Sequence, residues 1–163
     1  MAETITRAIP EVGLIPTTVE HVRYLAGRVR VEEFLQTGQV FGQTPEEAAL
    51  ASLATSRMTY TLTLCGVPVA CGGVSPHPDM AELGMPWMLV SEEATHHRKD
   101  LLGATCAAML DVPDHFPAGM VTVIDSRFVK AIRWAEHLGF DISEETTEVG
   151  PMKVPVRVAI WRR

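Results

Sequence analysis

Long apolar runs and clusters of basic residues are both scarce in this sequence of 163 residues. No apolar run reaches the roughly 18 residues that a membrane-spanning helix needs. Lys and Arg number 14 against 20 Asp and Glu, and the resulting net charge of −6 argues against sequence-independent binding to nucleic acid. We therefore expect neither a membrane nor a nucleic acid among the partners of this protein.

Cysteine is also rare, and Cys65, Cys71 and Cys106 form no Cys-x-x-Cys pair. An odd number of cysteines without metal-ligand spacing is typical of reduced, buried thiols, and we expect no metal site. Residues 1–10 carry Glu3 and Arg7 and lack the apolar core of a signal peptide. These features predict a protein that is made in a cytoplasm.

The composition that remains is that of an ordinary globular protein, with 47% apolar and 21% charged residues. A chain of this length predicts one domain over residues 1–163. The sequence contains no P-loop, no dinucleotide-binding fingerprint and no Ser/His/Asp nucleophile motif, so the commonest motif-based assignments do not apply.

The periodicity of apolar residues, together with capping and turn residues, predicts a series of helices and strands. Thr17 and Glu20 form a capping-box pattern at the start of a first helix, and Thr44-Pro45 followed by two acids opens another. Residues 31–35, 91–110 and 128–138 are predicted as further helical segments, and residues 75–79 as a loop. Strands are predicted at residues 4–9, 58–64, 69–74, 86–90, 120–124, 144–148 and 154–161.

The segment from Val123 to Phe140 is the most informative part of the chain. It predicts a strand end, a turn, an amphipathic helix with one apolar stripe, and a stop at Gly139. It resembles the last helix of the GNAT-type N-acetyltransferases, which ends Asn-x-x-Ala-x-x-x-Tyr-Glu-x-x-Gly-Phe. The residues that match this pattern are Ala131, Glu136, Gly139 and Phe140, whereas Phe128 and Ala135 replace the asparagine and the tyrosine.

The predicted order β-α-α-β-β-β-α-β-α-β-β is similar to that of the same family over nearly the full chain. The resemblance implies an α/β (α+β) GNAT-like fold, with a mixed, mostly antiparallel central sheet and helices on both faces. It also implies that acetyl-CoA, if the protein is an enzyme, binds in a V between the strands at 86–90 and 120–124. No cofactor is required if the protein is not an enzyme.

The family's pyrophosphate signature, Arg/Gln-x-x-Gly-x-Gly/Ala, falls on the stretch that begins at Arg98. Leu101 stands at the first glycine position and Gly103 at the last. The alternative interpretation is a solvated basic first turn of a helix. The cofactor-binding residues that the resemblance implies are Leu89, Val90, His97, Arg98, Gly103 and Ala104.

Candidates for acid–base catalysis are few. Glu82 and Glu92 flank the 86–90 strand and are candidate bases. Ser126 follows the 120–124 strand, at the end of a sheet where substrates tend to bind, but it is equally suited to cap the last helix. Tyr24 and Tyr60 are the only tyrosines, and both are interpreted as packing residues.

Two short stretches, residues 86–91 and Ile132-Arg133-Trp134, resemble a narrower family. This family comprises acetyltransferase-like proteins of tailed bacteriophages, named internal virion protein A. The resemblance implies a non-catalytic or weakly catalytic virion or assembly component, located in the host cytoplasm or the virion. Its partners would be other virion proteins or further copies of itself. The alternative function is acetyl-CoA-dependent N-acetylation of a small amine or a protein.

Overall fold

The computed structural model of the protein describes residues 11–163, which form one sheet with helices on both of its faces. The strands are β1 (Val12–Ile15), β2 (Met58–Leu64), β3 (Val67–His77), β4 (Met80–Val90), β5 (Met120–Asp125), β6 (Asp141–Ile142), β7 (Thr147–Val149) and β8 (Val154–Trp161). The α-helices are α1 (Val19–Ala26), α2 (Val31–Gln36), α3 (Pro45–Thr55), α4 (Arg98–Met109), α5 (Val112–His115) and α6 (Val129–His137). A π-helix (Thr37–Phe41) continues α2, and a 3₁₀-helix (Glu93–His97) precedes α4.

The eight strands lie in the order β1-β2-β3-β4-β5-β8-β6, with β7 also paired to β8. All neighbours are antiparallel except β4 and β5, which are parallel. The prediction of a mixed, mostly antiparallel sheet is therefore confirmed. The predicted strand at 4–9 lies outside the described residues, and β1 was not predicted.

Each face of the sheet is covered by a different group of helices. Helices α1 and α3 pack on one face through a buried cluster that includes Val22, Leu25, Ala49, Cys71 and Leu89. The opposite face carries a larger cluster around Phe116, Met120, Ile124, Ile132 and Ala135. Ile132 and Ala135 both belong to the apolar stripe predicted for α6. The face that this helix buries is therefore the predicted one.

Two helix starts show how local signals compete with tertiary contacts. Thr44 caps α3 as predicted, with Glu47 bonded back to the Thr44 N–H. The predicted cap of α1 is wrong by one residue, because Thr18 and not Thr17 accepts the His21 N–H. The Thr17 hydroxyl is engaged elsewhere, since it accepts a hydrogen bond from Thr61 of β2.

The hairpin of β3 and β4 is longer than predicted. Residues 75–79 were expected to form a loop, but β3 continues to His77 and β4 begins at Met80. Pro76 can pair with Gly84 of β4 because the pairing of β3 with β2 ends at Val74. Pro76 therefore has no strand on its other side, and its missing N–H interrupts no second ladder. Among residues 11–163, no helix is long and apolar enough to cross a membrane.

Candidate functional site

Strands β4 and β5 touch at one point and then separate. The only residues of these two strands that pair with each other are Gly84 and Met120. At this point the Gly84 N–H donates to the Gly119 carbonyl at 2.9 Å. The next contact lies on the N-terminal side of β4, where the Ala118 N–H donates to Glu82 at 3.1 Å. From Met85 to Val90 the edge of β4 has no registered partner on β5. The two strands therefore form a V that opens toward their carboxyl ends.

Glycine is required at the point where the strands meet. A Cβ on Gly84 would lie 2.4 Å from Val74 Cγ1 and 3.0 Å from Phe116 Cγ. Val74 and Phe116 are both buried, so neither can move into solvent. The absence of a side chain at Gly84 thus lets the strand lie against the core where the V begins.

Beyond Gly84, the open edge of β4 offers few backbone donors. The Ser91 N–H points to β3, where it bonds the Val69 carbonyl, and the register of the two strands is regular back to Gly84. N–H groups therefore alternate, and those of Met88 and Val90 face the V, as that of Gly84 does. Pro86, also on this edge, has no N–H. Met88 and Val90 therefore carry the N–H groups of this segment that face the V.

The Val90 donor is already engaged by the side chain of Glu33. Both carboxylate oxygens of Glu33 lie within hydrogen-bond distance of the Val90 N, at 3.2 and 3.0 Å. Glu33 comes from α2, and Arg30 bonds the same carboxylate at 2.9 Å. Burial raises the pKa of Glu33 above its ordinary value, although the Val90 N–H and Arg30 act against this.

The chain before α2 also covers the far end of the open edge. The Glu92 N–H donates to the Arg28 carbonyl at 3.1 Å, and Val29 forms a bridge with Ser91. The Arg28 guanidinium stacks on the ring of Tyr24 at 3.8 Å. A surface cavity of about 280 Å³ lies here, lined in part by Tyr24, Arg28 and Glu92.

A second polar cluster lies just past the end of β5. Asp125 has no exposed side-chain surface and accepts hydrogen bonds from the Arg127 N–H, Nε and Nη2 at 2.9, 2.9 and 2.6 Å. These bonds hold the pKa of Asp125 below its ordinary value. Arg127 Nη2 also donates to Gln39 of the π-helix at 2.8 Å. The segment from α2 through the π-helix therefore contacts both arms of the V.

The start of α4 does not form the expected glycine loop. The 3₁₀-helix runs directly into α4, and the N-cap residue His97 makes no side-chain capping bond. Its ring lies 3.5 Å from Glu93 and 3.8 Å from Asp100, so acids partner the histidine at this helix start. Arg98 is exposed, as the solvated-turn interpretation expects.

The residues aligned with the pyrophosphate signature lie inside a regular helix. Leu101 is buried in the core, and Ala104 packs against the same cluster. Gly103 is exposed in the second turn of α4, and no atom of residues 11–163 lies within 4 Å of where its Cβ would stand. Within this part of the chain, nothing approaches Gly103 closely enough to require a glycine there.

The predicted cofactor residues of β4 are buried on opposite faces of the sheet. Leu89 belongs to the cluster under α1 and α3, and Val90 to the cluster under α4. Their side chains are therefore core residues, and only their backbone groups can meet a ligand at the strand edge.

The three predicted catalytic residues do not converge on one point. Glu82 is exposed on the closed side of the Gly84 contact, whereas Glu92 is exposed just beyond the open end of β4. Ser126 follows the open end of β5 and donates its N–H to Pro155 at 2.9 Å. Its interpretation as a helix cap is wrong, because α6 begins after Phe128, without a side-chain cap.

Glu33 is the functional candidate that the sequence did not single out. It follows Glu32 near the start of a short helix, which is where solvated acids commonly lie. The only local hint is Arg30 at a spacing of three residues, which favours an ion pair on one helix face. The contact to Val90 spans 57 residues of sequence and cannot be read from either segment alone.

Comparison with known proteins identifies the fold. The chain matches a GCN5-related N-acetyltransferase from Kribbella flavida at 15% identity, with a TM-score of 0.68 over 93% of this chain and 98% of the other. It matches a ribosomal-protein-alanine N-acetyltransferase from Brucella melitensis at 10% identity, TM-score 0.73, over 93% and 99% of the two chains. A third match is an aminoglycoside acetyltransferase in complex with coenzyme A, at 18% identity, with a TM-score of 0.64 over 94% of this chain and 95% of the other.

The protein therefore has the GNAT-type N-acetyltransferase fold, as the sequence resemblance implied. A scan against known protein families found no match, and a search of curated proteins found none either. At identities of 10 to 18%, the structural likeness establishes the fold and not the activity.

The predicted role as a non-catalytic virion or assembly component is wrong. The finding that overturns it is the likeness of the chain to solved structures of acetyltransferases. The comparisons give no support to the phage-family resemblance. A backbone edge can bind a ligand even where the pyrophosphate signature at Arg98 is incomplete.

Proposed function

We propose that this protein is an acetyl-CoA-dependent N-acetyltransferase whose acceptor is an amine on a small molecule or a protein. The observation that carries the proposal is the separation of β4 from β5 beyond Gly84 and Met120. It leaves an unpaired strand edge inside a fold whose named relatives above are acetyltransferases, one of them in complex with coenzyme A.

The residues around this edge fit a ligand rich in hydrogen-bond acceptors. Acetyl-CoA carries amide carbonyls along its extended arm and oxygens on its phosphates. The V presents the Met88 N–H, and the nearby Arg30 Nε is buried without a hydrogen-bond partner among residues 11–163. Bound there, acetyl-CoA would supply an activated acetyl thioester. Met88 would hold its extended arm by strand-like pairing, as exposed sheet edges bind extended peptides.

The three catalytic candidates differ in where they lie relative to the open end of the V between β4 and β5. Glu92 and Ser126 follow the two strand ends between which the V opens, so we retain both as candidates for proton transfer. Glu82 lies on the closed side of the Gly84 contact and is the natural control. We expect Glu92→Gln or Ser126→Ala to lower acetyl transfer, and Glu82→Gln to leave it unchanged.

The activity is tested by incubating the purified protein with acetyl-CoA and a panel of amines. The panel comprises an aminoglycoside, a peptide with an N-terminal alanine and a polyamine, and the readout is release of free CoA thiol. We expect release that depends on one acceptor. Acetyl-CoA at about 100 times its Kd should stabilise the protein by about 2.7 kcal/mol. No release with any amine, together with no thermal stabilisation, would refute the proposal.

The binding edge itself has a matched pair of variants. Met88→Pro removes the N–H that faces the V and spares the ladder to β3, and Pro86 already occupies an equivalent position on this edge. Met88→Ala shortens a partly exposed side chain but keeps the N–H. We expect the proline variant to weaken acetyl-CoA binding and the alanine variant to retain it, with circular dichroism confirming that both are folded.

A further inference from the structure

The contact between Glu33 and Val90 lies where an extended ligand would pair with β4. On this edge the Gly84 N–H donates to the Gly119 carbonyl just before β5, and Met88 and Val90 carry the next N–H groups that face the same way. A ligand that paired with the whole of this edge in place of β5 would accept hydrogen bonds from both of these N–H groups. Glu33 already takes the one at Val90, with its two oxygens at 3.2 and 3.0 Å.

The occupant is a side chain, so it can leave without breaking the sheet. Glu33 reaches Val90 from α2, and its side chain is only 16% exposed. Rotation of its side chain would free the Val90 N–H and leave every β3–β4 backbone bond in place. By contrast, the Arg28 carbonyl that bonds Glu92 is backbone and moves only with its segment.

The surroundings of Glu33 also suit an exchange of acceptors. Arg30 bonds the carboxylate through Nη2 at 2.9 Å, while its Nε is buried without a partner among the described residues. In the Arg30–Glu33 pair, the Nε–H of Arg30 is therefore a donor that Glu33 does not accept from. Because this donor is buried, an amide carbonyl or phosphate oxygen could reach it only once the Glu33 side chain has moved. A buried unpaired donor is costly, so pairing it would favour the exchange.

Resting on the proposed function, we propose that Glu33 sets the affinity for acetyl-CoA by competing with it for the Val90 N–H. In the free protein Glu33 occupies the donor. In the complex the extended arm of acetyl-CoA takes that donor, and the Glu33 carboxylate is displaced. Glu33 thus lowers the affinity of the site without taking part in acetyl transfer.

The test is calorimetric titration of acetyl-CoA into wild-type protein and three variants. Glu33→Ala frees the donor, and we expect it to bind acetyl-CoA roughly tenfold more tightly, since a charged hydrogen bond no longer has to be displaced. Glu33→Gln keeps an acceptor without the charge and should bind less tightly than Glu33→Ala. Glu32→Ala removes the same charge from an exposed neighbour on α2 and should bind as the wild type does.

Each outcome decides between the two proposals. If the wild type binds and Glu33→Ala binds equally or more weakly, the competition is refuted and the proposed function stands. If Glu33→Gln binds as tightly as Glu33→Ala, charge repulsion rather than occupancy sets the affinity, and the competition is again refuted. If neither wild type nor Glu33→Ala binds acetyl-CoA, the proposed function fails and the competition fails with it.

A second measurement covers the case in which Glu33→Ala does not fold. The carboxyl-carbon resonance of Glu33 is followed by NMR in the wild type as acetyl-CoA is added. We expect it to shift toward the value of a solvated glutamate, while that of Glu32 stays constant. A Glu33 resonance unchanged at saturation would refute the displacement.

Discussion

Replacement of Gly84 by alanine tests whether β4 and β5 meet where the structure places their contact. The added Cβ would lie 2.4 Å from Val74 Cγ1 and 3.0 and 3.2 Å from two ring atoms of Phe116. Both neighbours are buried, at 5% and 0% exposure, so relief requires a shift of the core. Such overpacking costs about 1 to 3 kcal/mol.

The expected effect of Gly84→Ala is a clear loss of stability. Alanine lowers the conformational entropy of the unfolded chain, which adds about 0.4 to 1 kcal/mol to the free energy of unfolding. We expect the cost of the clash to exceed this gain. For a protein of this size, a net loss of about 1 to 2 kcal/mol lowers Tm by roughly 2 to 8 °C. The assay is thermal unfolding followed by circular dichroism, with urea denaturation for the free energy of unfolding.

Two further variants make this experiment specific. Gly103→Ala makes the same chemical change inside helix α4, where none of the described residues has an atom within 4 Å of the added Cβ, and should stabilise the protein by about 0.5 to 1 kcal/mol. Val74→Ala removes the atom at 2.4 Å, so the double variant with Gly84→Ala should lose less stability than the two single losses combined. Equal Tm values for wild type and Gly84→Ala would show that the packing at this contact is wrong.

Two other predictions concern titrating groups. Because Arg127 lowers the pKa of Asp125, the carboxylate stabilises the fold fully above its unfolded pKa of about 3.9, and this contribution is lost as pH falls through the lower folded pKa. Urea denaturation between pH 2 and 5 should therefore show a shallower loss of stability for Asp125→Asn than for wild type, and parallel curves would contradict this reasoning. Burial raises the pKa of Cys71 to about 12, whereas Cys65 and Cys106 are exposed, so the prediction of buried thiols is wrong for these two. A thiol reagent at pH about 8 should then modify two cysteines quickly and the third only after denaturation, and three equally fast thiols would refute the burial of Cys71.

The sequence predicted best what nearby residues determine among themselves. Thr44, Pro45 and Glu47 form a helix start whose bonds all lie within four residues, and it occurs as predicted. The apolar stripe and glycine stop of α6 are similarly local, and Gly139 adopts the positive φ of 91° expected of it. These local signals, in their order along the chain, were enough to indicate the fold.

The candidate site was harder to predict because it is made by contacts between distant segments. The signature at Arg98 pointed to α4, yet Gly103 lies within the helix and is exposed. The feature that matters is the strand edge at Met88 and Val90, which exists only because β5 diverges after Met120. Glu33 reaches that edge from a helix 57 residues earlier, and its sequence context is that of an ordinary surface acid.

The most direct test of the account is a map of where acetyl-CoA contacts the protein. Backbone amide resonances of ¹⁵N-labelled protein are recorded as acetyl-CoA is added. We predict the largest shifts at Met88 and Val90, smaller ones at residues 121–125 of β5, and none at the closed side around Glu82. Shifts confined to α4 around Gly103, or no shifts at saturating acetyl-CoA, would contradict a binding site between the separated strands.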